Sequence, residues 1–301
     1  MANKSVSKNV QKKIRKLDAS DERQYLLGAD YEVYEKQGAP FGAASFHYHN
    51  FYEIIYVMEG EYSSLVGNQA YHLHRGDFLL IDQNVMHRYY YEKEDGFASK
   101  RIIVWVTDQL LKQLSVGEMD LTECFRRGES HAYHFPIYYE EMLRGYLLKL
   151  AMSEILEEEL PDSKKVMDRG FLTLFFGYLN NLCHREENWA LDQMVGQHPL
   201  VEQVTSYVEE HMADRITVEE LAEYVHMSKY YFLRKFKELT GVTVHSFVTD
   251  KKLIYACERI KEGESISLIY QRCGFTDYSS FLRNFKKAYG VSPGKYGETI
   301  E

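Results

Sequence analysis

Residues 232–243 read FLRKFKELTGVT and residues 281–292 read FLRNFKKAYGVS, identical at seven of twelve aligned positions with a constant offset of 49 residues. A repeat this short is no solenoid, so one small unit is used twice. Ahead of each copy lie a second helical stretch and a tight turn. In the first unit Thr217 and Glu220 form a capping-box pattern, and Leu221, Ala222 and Val225 make an inner stripe. His226 and Met227 then turn, and Ser228 caps the next helix. Phe232, Phe236 and Leu239 bury one side of that helix, which leaves Lys229, Tyr230, Leu233, Arg234 and Lys237 on the other. The second unit repeats the scheme, with Ser265 or Ser267 as cap, Leu268 and Ile269 inside, Gly274 in the turn and Asp277 as the second cap. Phe281 and Phe285 face inward, and Tyr278, Ser279, Leu282, Arg283 and Lys286 are left outward. Each unit reads as a helix-turn-helix, whose second helix is shaped to enter a major groove.

Between the units, Phe247, Ile254, Cys257 and Ile260 recur at helical spacing within 244–262, bounded by Gly241 and Gly263. One helix of that length spans roughly 28 Å at about 1.5 Å per residue, stiff enough to hold two recognition helices near the roughly 34 Å between successive major-groove faces. Through LAEYVHMSKYYFLRKFKELTG and GFTDYSSFLRNFKKAYGVSPGKY, over about 100 residues, the chain resembles the AraC/XylS family of transcriptional regulators. The resemblance implies base-edge readout by Tyr230, Leu233, Arg234, Tyr278, Ser279, Leu282 and Arg283, with Lys229, Lys237 and Lys286 nearer phosphates. It departs from the family at Lys252, where arginine is usual, and at Tyr270, where a small alanine is customary.

Upstream, residues 30–106 carry short runs of Tyr, Phe, Ile and Val broken by Gly42, Gly60, Gly67, Gly76 and Gly96, the rhythm of an all-β barrel or sandwich. In GAASFHYHNFYEIIYVMEG, His47, His49 and Glu53 share one parity with Ile55 and Val57, so an extended chain turns them to one face. His87 follows a second glycine-led strand, GDFLLIDQNVMH. Three imidazoles and a carboxylate are a reasonable ligand set for a divalent first-row metal. The spacing resembles the cupin motifs, departing at Asp82 and Asn84, where proline and glycine are usual. Family sensors with such barrels imply an effector pocket, often for a sugar. His47, His49, Glu53, Tyr56, His87, Tyr89 and Trp105, with Tyr91 nearby, offer hydrogen bonds and stacking to a hydroxylated ligand. Effector binding, hydrogen bonds that merely hold the core, and a metal centre at His47, His49, Glu53 and His87 are three readings of the same residues.

Residues 107–185 turn helical, with candidate helices near 108–115, 136–160 and 164–185; Pro161, Asp162 and Ser163 end one and cap the next. The stripe Leu143, Leu147, Leu150 and Ile155 needs a partner, either the barrel wall or a second subunit. Val6, Val10, Ile14 and Leu17 suggest a short amphipathic arm at 1–28, with Lys12, Lys13, Arg15 and Lys16 mostly off its apolar face.

The 301 residues suit more than one domain, and 45% hydrophobic with 27% charged composition excludes disordered and fibrous classes. Net charge is −9, and residues 197–301 hold 14 Lys+Arg against 15 Asp+Glu, so only local charge favours nucleic acid. The segment KYYFLRKFK at 229–237 provides it, with four basic residues and no acid. No apolar run reaches the roughly 20 residues of a membrane span and no secretory signal is present, which points to the cytoplasm. Cys124, Cys183, Cys257 and Cys273 form no CxxC pair.

The fold expected is α+β and multidomain. It comprises an arm at 1–28, a cupin-like effector-binding barrel at 29–106, a helical, dimerising extension at 107–185, a linker at 186–198 and an all-α domain of two helix-turn-helix units at 199–301. The function expected is sequence-specific regulation of transcription, on the family pattern activation with RNA polymerase as partner. A homodimer would act without catalysis or a required cofactor. The rival is a cupin metalloenzyme, an isomerase or dioxygenase, with a helical appendage.

Overall fold

The computed structural model describes residues 26, 30–37, 46–67, 69–90, 99–126, 132–152, 162–185, 189–191 and 198–298. The expected arm at 1–28, apart from Leu26, and all of the linker at 186–198 except residues 189–191 and His198 lie outside them, as do Tyr91 and Ile155. The chain divides into two compact units, one of Met1–Gly42 with Tyr48–Met194 and one of Ala43–His47 with Val195–Glu301.

The first unit is built on strands β1 (Tyr31–Gln37), β2 (Tyr52–Glu59), β3 (Glu61–Val66), β4 (Gln69–His74), β5 (Asp77–Ile81), β6 (His87–Tyr90), β7 (Lys100–Val106) and β8 (Ala132–His134). They form two antiparallel sheets, ordered β1-β7-β2-β5-β8 and β4-β3-β6. Strand alternation sends successive side chains to opposite faces. On one face of the larger sheet Phe51, Ile55, Val57, Leu79, Ile81, Ile103 and Trp105 meet Tyr62, Val66, Tyr71 and Leu73 of the smaller sheet. On its other face Tyr52, Ile54, Tyr56, Phe78, Leu80, Ile102 and Val104 lie under helices. Both faces are covered, so β2 and β7 are apolar almost throughout rather than alternating.

The covering helices are α1 (Asp108–Leu114), α2 (Ile137–Met152) and α3 (Ser163–Cys183). Thr107 caps α1, its hydroxyl accepting from the Leu110 amide at 3.2 Å. Leu143, Leu147 and Leu150 of α2 and Leu172, Phe175, Phe176 and Leu179 of α3 are buried in the same cluster as the outer sheet face. The described part of the α2 stripe is therefore spent on the sheet of its own chain. Asn180 fixes α3 further, donating to Leu121 O at 3.0 Å and accepting from the Cys124 amide at 2.9 Å.

The second unit contains α4 (Pro199–Glu210), α5 (Val218–Tyr224), α6 (Lys229–Thr240), α7 (Val244–Lys261), α8 (Ile266–Arg272), α9 (Tyr278–Tyr289) and α10 (Pro293–Glu298). α5–α6 and α8–α9 are the two helix-turn-helix pairs, and α7 is the connecting rod, 18 residues long. At about 1.5 Å per residue it extends roughly 27 Å. No described helix is long and apolar enough to cross a membrane.

Candidate functional site

Between the two sheets of the first unit, Glu53 is the centre of a buried polar cluster. Its position on β2 pairs it with Trp105 on β7 and Ile81 on β5, among apolar neighbours that offer no solvent. Trp105 Nε1 donates to Glu53 Oε1 at 2.9 Å. Glu53 Oε2 lies 3.2 Å from His49 Nε2 and 3.1 Å from His87 Nε2. Each imidazole is turned by its other nitrogen: His49 Nδ1 donates to Phe51 O at 2.9 Å and His87 Nδ1 to Val85 O at 2.8 Å. A carbonyl can only accept, so each Nδ1 carries a proton and each Nε2 faces the carboxylate. Burial alone would raise the Glu53 carboxyl; hydrogen bonds and charge from His49 and His87 overcome it and hold the group well below the usual carboxylate range. Burial, helped by the neighbouring charge of His87, lowers His49 despite its contacts with Glu53 and Phe51.

Acceptors facing one another across about 3 Å need a cation between them. A shared proton supplies one, and a divalent first-row metal would supply another; its ligands would be His49, Glu53 and His87, whose ligand atoms lie within 4.8 Å of one another. Histidines held by a backbone carbonyl on the far nitrogen suit that role. With a metal bound, the site would gain a Lewis acid facing the space between the sheets.

Two expectations fail here. His47 is half-buried and groups with the second unit, so it does not join His49, Glu53 and His87; the extended run that the parity argument assumed starts only at Tyr52. Tyr56 has even parity on β2 and faces the helices, where its hydroxyl donates to Glu140 of α2. Tyr89 stays at the edge of the inter-sheet cluster, near Tyr62 at 6.4 Å between ring centres.

In the second unit Thr217 and Glu220 form the full capping box, and Phe232 with Phe236 and Phe281 with Phe285 are buried. Lys229, Tyr230, Arg234 and Lys237 on α6 and Tyr278, Ser279, Arg283 and Lys286 on α9 are exposed; Leu233 and Leu282 are half-buried. Tyr230, 85% exposed, stands clear at the first turn of its helix. Ser265, rather than Ser267, occupies the cap position of α8, and Leu268 is exposed while Ile269 is buried, so Leu268 does not form part of the inner face.

Three features escaped the sequence reading. Glu219 on α5 pairs with Lys229, its hydrogen bond raising the ammonium and lowering the carboxyl. Tyr231 is exposed and carries Arg234 over its ring at 5.7 Å. Lys252 is buried and donates to Asp214 O at 2.7 Å and Gly274 O at 3.1 Å, joining the loop before the first helix-turn-helix to the turn of the second. Its unusual identity was the available signal, though not its partners.

A model described as an AraC-like ligand binding domain matches residues 31–103, and one described as a helix-turn-helix domain matches 221–299. The probable transcriptional regulator LumQ of Photobacterium leiognathi is 22% identical over 84% of this chain and 91% of its own. The HTH-type transcriptional activator RhaS of Escherichia fergusonii is 22% identical over 84% of this chain and 87% of its own. The MmsAB operon regulatory protein of Pseudomonas aeruginosa is 31% identical over 32% of this chain and 31% of its own. With these two domains in this order, the chain belongs to the AraC family of transcriptional regulators.

Proposed function

We propose that the chain reads a specific DNA site with both α6 and α9, and that a small hydroxylated effector, a sugar before other classes, sets its affinity from the space around Glu53. The observation that carries the reading is the pair of matched outer faces. Each presents a tyrosine, an arginine and a lysine to solvent while a phenylalanine pair anchors the helix behind them. Arginine can bridge a guanine bidentately, and lysine on phosphate adds affinity without sequence preference.

Glu53, His49, His87 and Trp105 supply donors and acceptors in an apolar setting, which suits a ligand of several hydroxyls. No catalytic step is needed in this role. The relatives' activator name supports activation, with RNA polymerase as the further partner. Pairing with a second copy would use the outer side of α3, where Met167, Leu174 and Tyr178 remain exposed at spacings of seven and four residues.

Thermal-shift screening of the full chain against sugars, followed by DNA binding with and without each hit, tests the reading. A ligand at 100 times its dissociation constant adds about 2.7 kcal/mol to the unit that holds it. The expected result is a sugar that stabilises the chain, changes affinity for selected DNA and loses both effects in Glu53→Gln. A chain that selects no DNA sequence from a random pool overturns the reading.

A further inference from the structure

The first unit carries a second histidine-carboxylate cluster, on the surface of the smaller sheet. His72-Leu73-His74 on β4 is an H-x-H run whose parity sends both imidazoles to one face while Leu73 enters the inter-sheet core. In the β3–β4 ladder Glu61 stands opposite His74, and Ser63 opposite His72. All four side chains therefore share the outer face. His72 Nε2 lies 3.3 Å from Glu61 Oε2, the two imidazole rings are edge to face at 4.8 Å, and one ligand atom from each of the three groups falls within 4.8 Å of the others.

Two further contacts set this cluster up. Ser63 Oγ lies 2.8 Å from His72 Nδ1, and a hydroxyl can turn from donor to acceptor, so it can hold His72 with its proton on Nδ1 and a lone pair on Nε2. The turn after His74 is fixed by Asp77, a buried carboxylate that accepts from the His74 amide at 2.7 Å. His74 is thereby held at the end of a rigid strand, while its ring remains open to solvent.

We propose that Glu61, His72 and His74 bind a divalent transition ion of the zinc, cobalt or nickel class, separately from the Glu53 cluster. Two imidazoles and a carboxylate are the donors such ions take, and the exposed position leaves coordination sites for water or a small anion. The ion cross-links β3 to β4 on the face opposite Tyr62, Tyr71 and Leu73, which line the core between the sheets.

The test is titration of the untagged full chain with Zn2+ by calorimetry and with Co2+ by visible absorption, beside His72→Ala, His74→Ala and Ser63→Ala. His87→Gln serves as control for the buried cluster. The expected result is one equivalent lost in His72→Ala and in His74→Ala, with melting curves unchanged in the absence of metal. Ser63→Ala should weaken that equivalent about 10-fold or more. His87→Gln should retain it. The proposal is overturned if the wild-type chain takes up no Zn2+ or Co2+, or if His72→Ala and His74→Ala bind as many equivalents, as tightly, as wild type.

Discussion

The two helix-turn-helix units share a plan and differ at their turns. Val225 and Cys273 end α5 and α8 in the same way, and the residue after each has a positive φ, 54° at His226 and 62° at Gly274. From there the offset of 48 residues becomes 49, because unit two places Phe275 and Thr276 before its cap where unit one has Met227 alone. The first turn tolerates a histidine in a left-handed conformation. The second cannot take even a methyl: a Cβ on Gly274 would lie 2.5 Å from both Asp214 O and Lys252 Nζ. One turn is thus a free surface bend, and the other is a joint clamped by the connecting helix. The same backbone turn does different work depending on what is packed against it.

Gly274→Ala should produce the largest effect that separates them. It meets backbone at a distance real Cβ atoms do not adopt and adds left-handed strain, together costing about 3 kcal/mol. His226→Gly relieves similar strain but frees the unfolded chain, so it should be near neutral. Chemical denaturation of both variants checks the contrast; equal losses would erase it.

Arg234→Ala and Arg283→Ala come next, each expected to lower sequence-specific affinity by about 1 to 3 kcal/mol with little effect on non-specific DNA. Fluorescence anisotropy on selected and scrambled duplexes reads this out. If only Arg234 matters, the clamped unit positions the first and does not itself read bases.

Helix caps give a smaller difference. The Thr217 hydroxyl accepts from the Glu220 amide, whereas the Ser265 side chain meets Ser267 Oγ instead of a backbone donor. Thr217→Ala should therefore cost about 1 kcal/mol and Ser265→Ala almost nothing, measured by denaturation. Smallest is the salt dependence of DNA binding. Lys286→Ala should flatten the slope of log affinity against log salt by about one. Lys229→Ala should flatten it less, since Glu219 already engages that ammonium.

Much of this was legible in the sequence because it depends on local period and spacing. The repeat, the phenylalanine pairs and the alternation on β2 follow from residues close along the chain. Glu53 with His49 needed only proximity, four residues apart along the chain. Tyr56 failed because it was chosen for its chemistry against the parity that places it. His47 failed because that alternation was extended past the point where the strand begins. The second H-x-H run, at His72, was present in the sequence but lacked a recognised neighbour, since Glu61 joins it only through cross-strand pairing. Lys252 reaches carbonyls 38 and 22 residues away, which no local pattern encodes.

The central claim is that α6 and α9 occupy successive major grooves of one duplex. Methylation-protection footprinting of the full chain on a selected site tests it most directly. Two protected patches about 10 base pairs apart on one face are expected, one lost in Arg234→Ala and the other in Arg283→Ala. A single patch, or two patches that respond alike to either substitution, would contradict it.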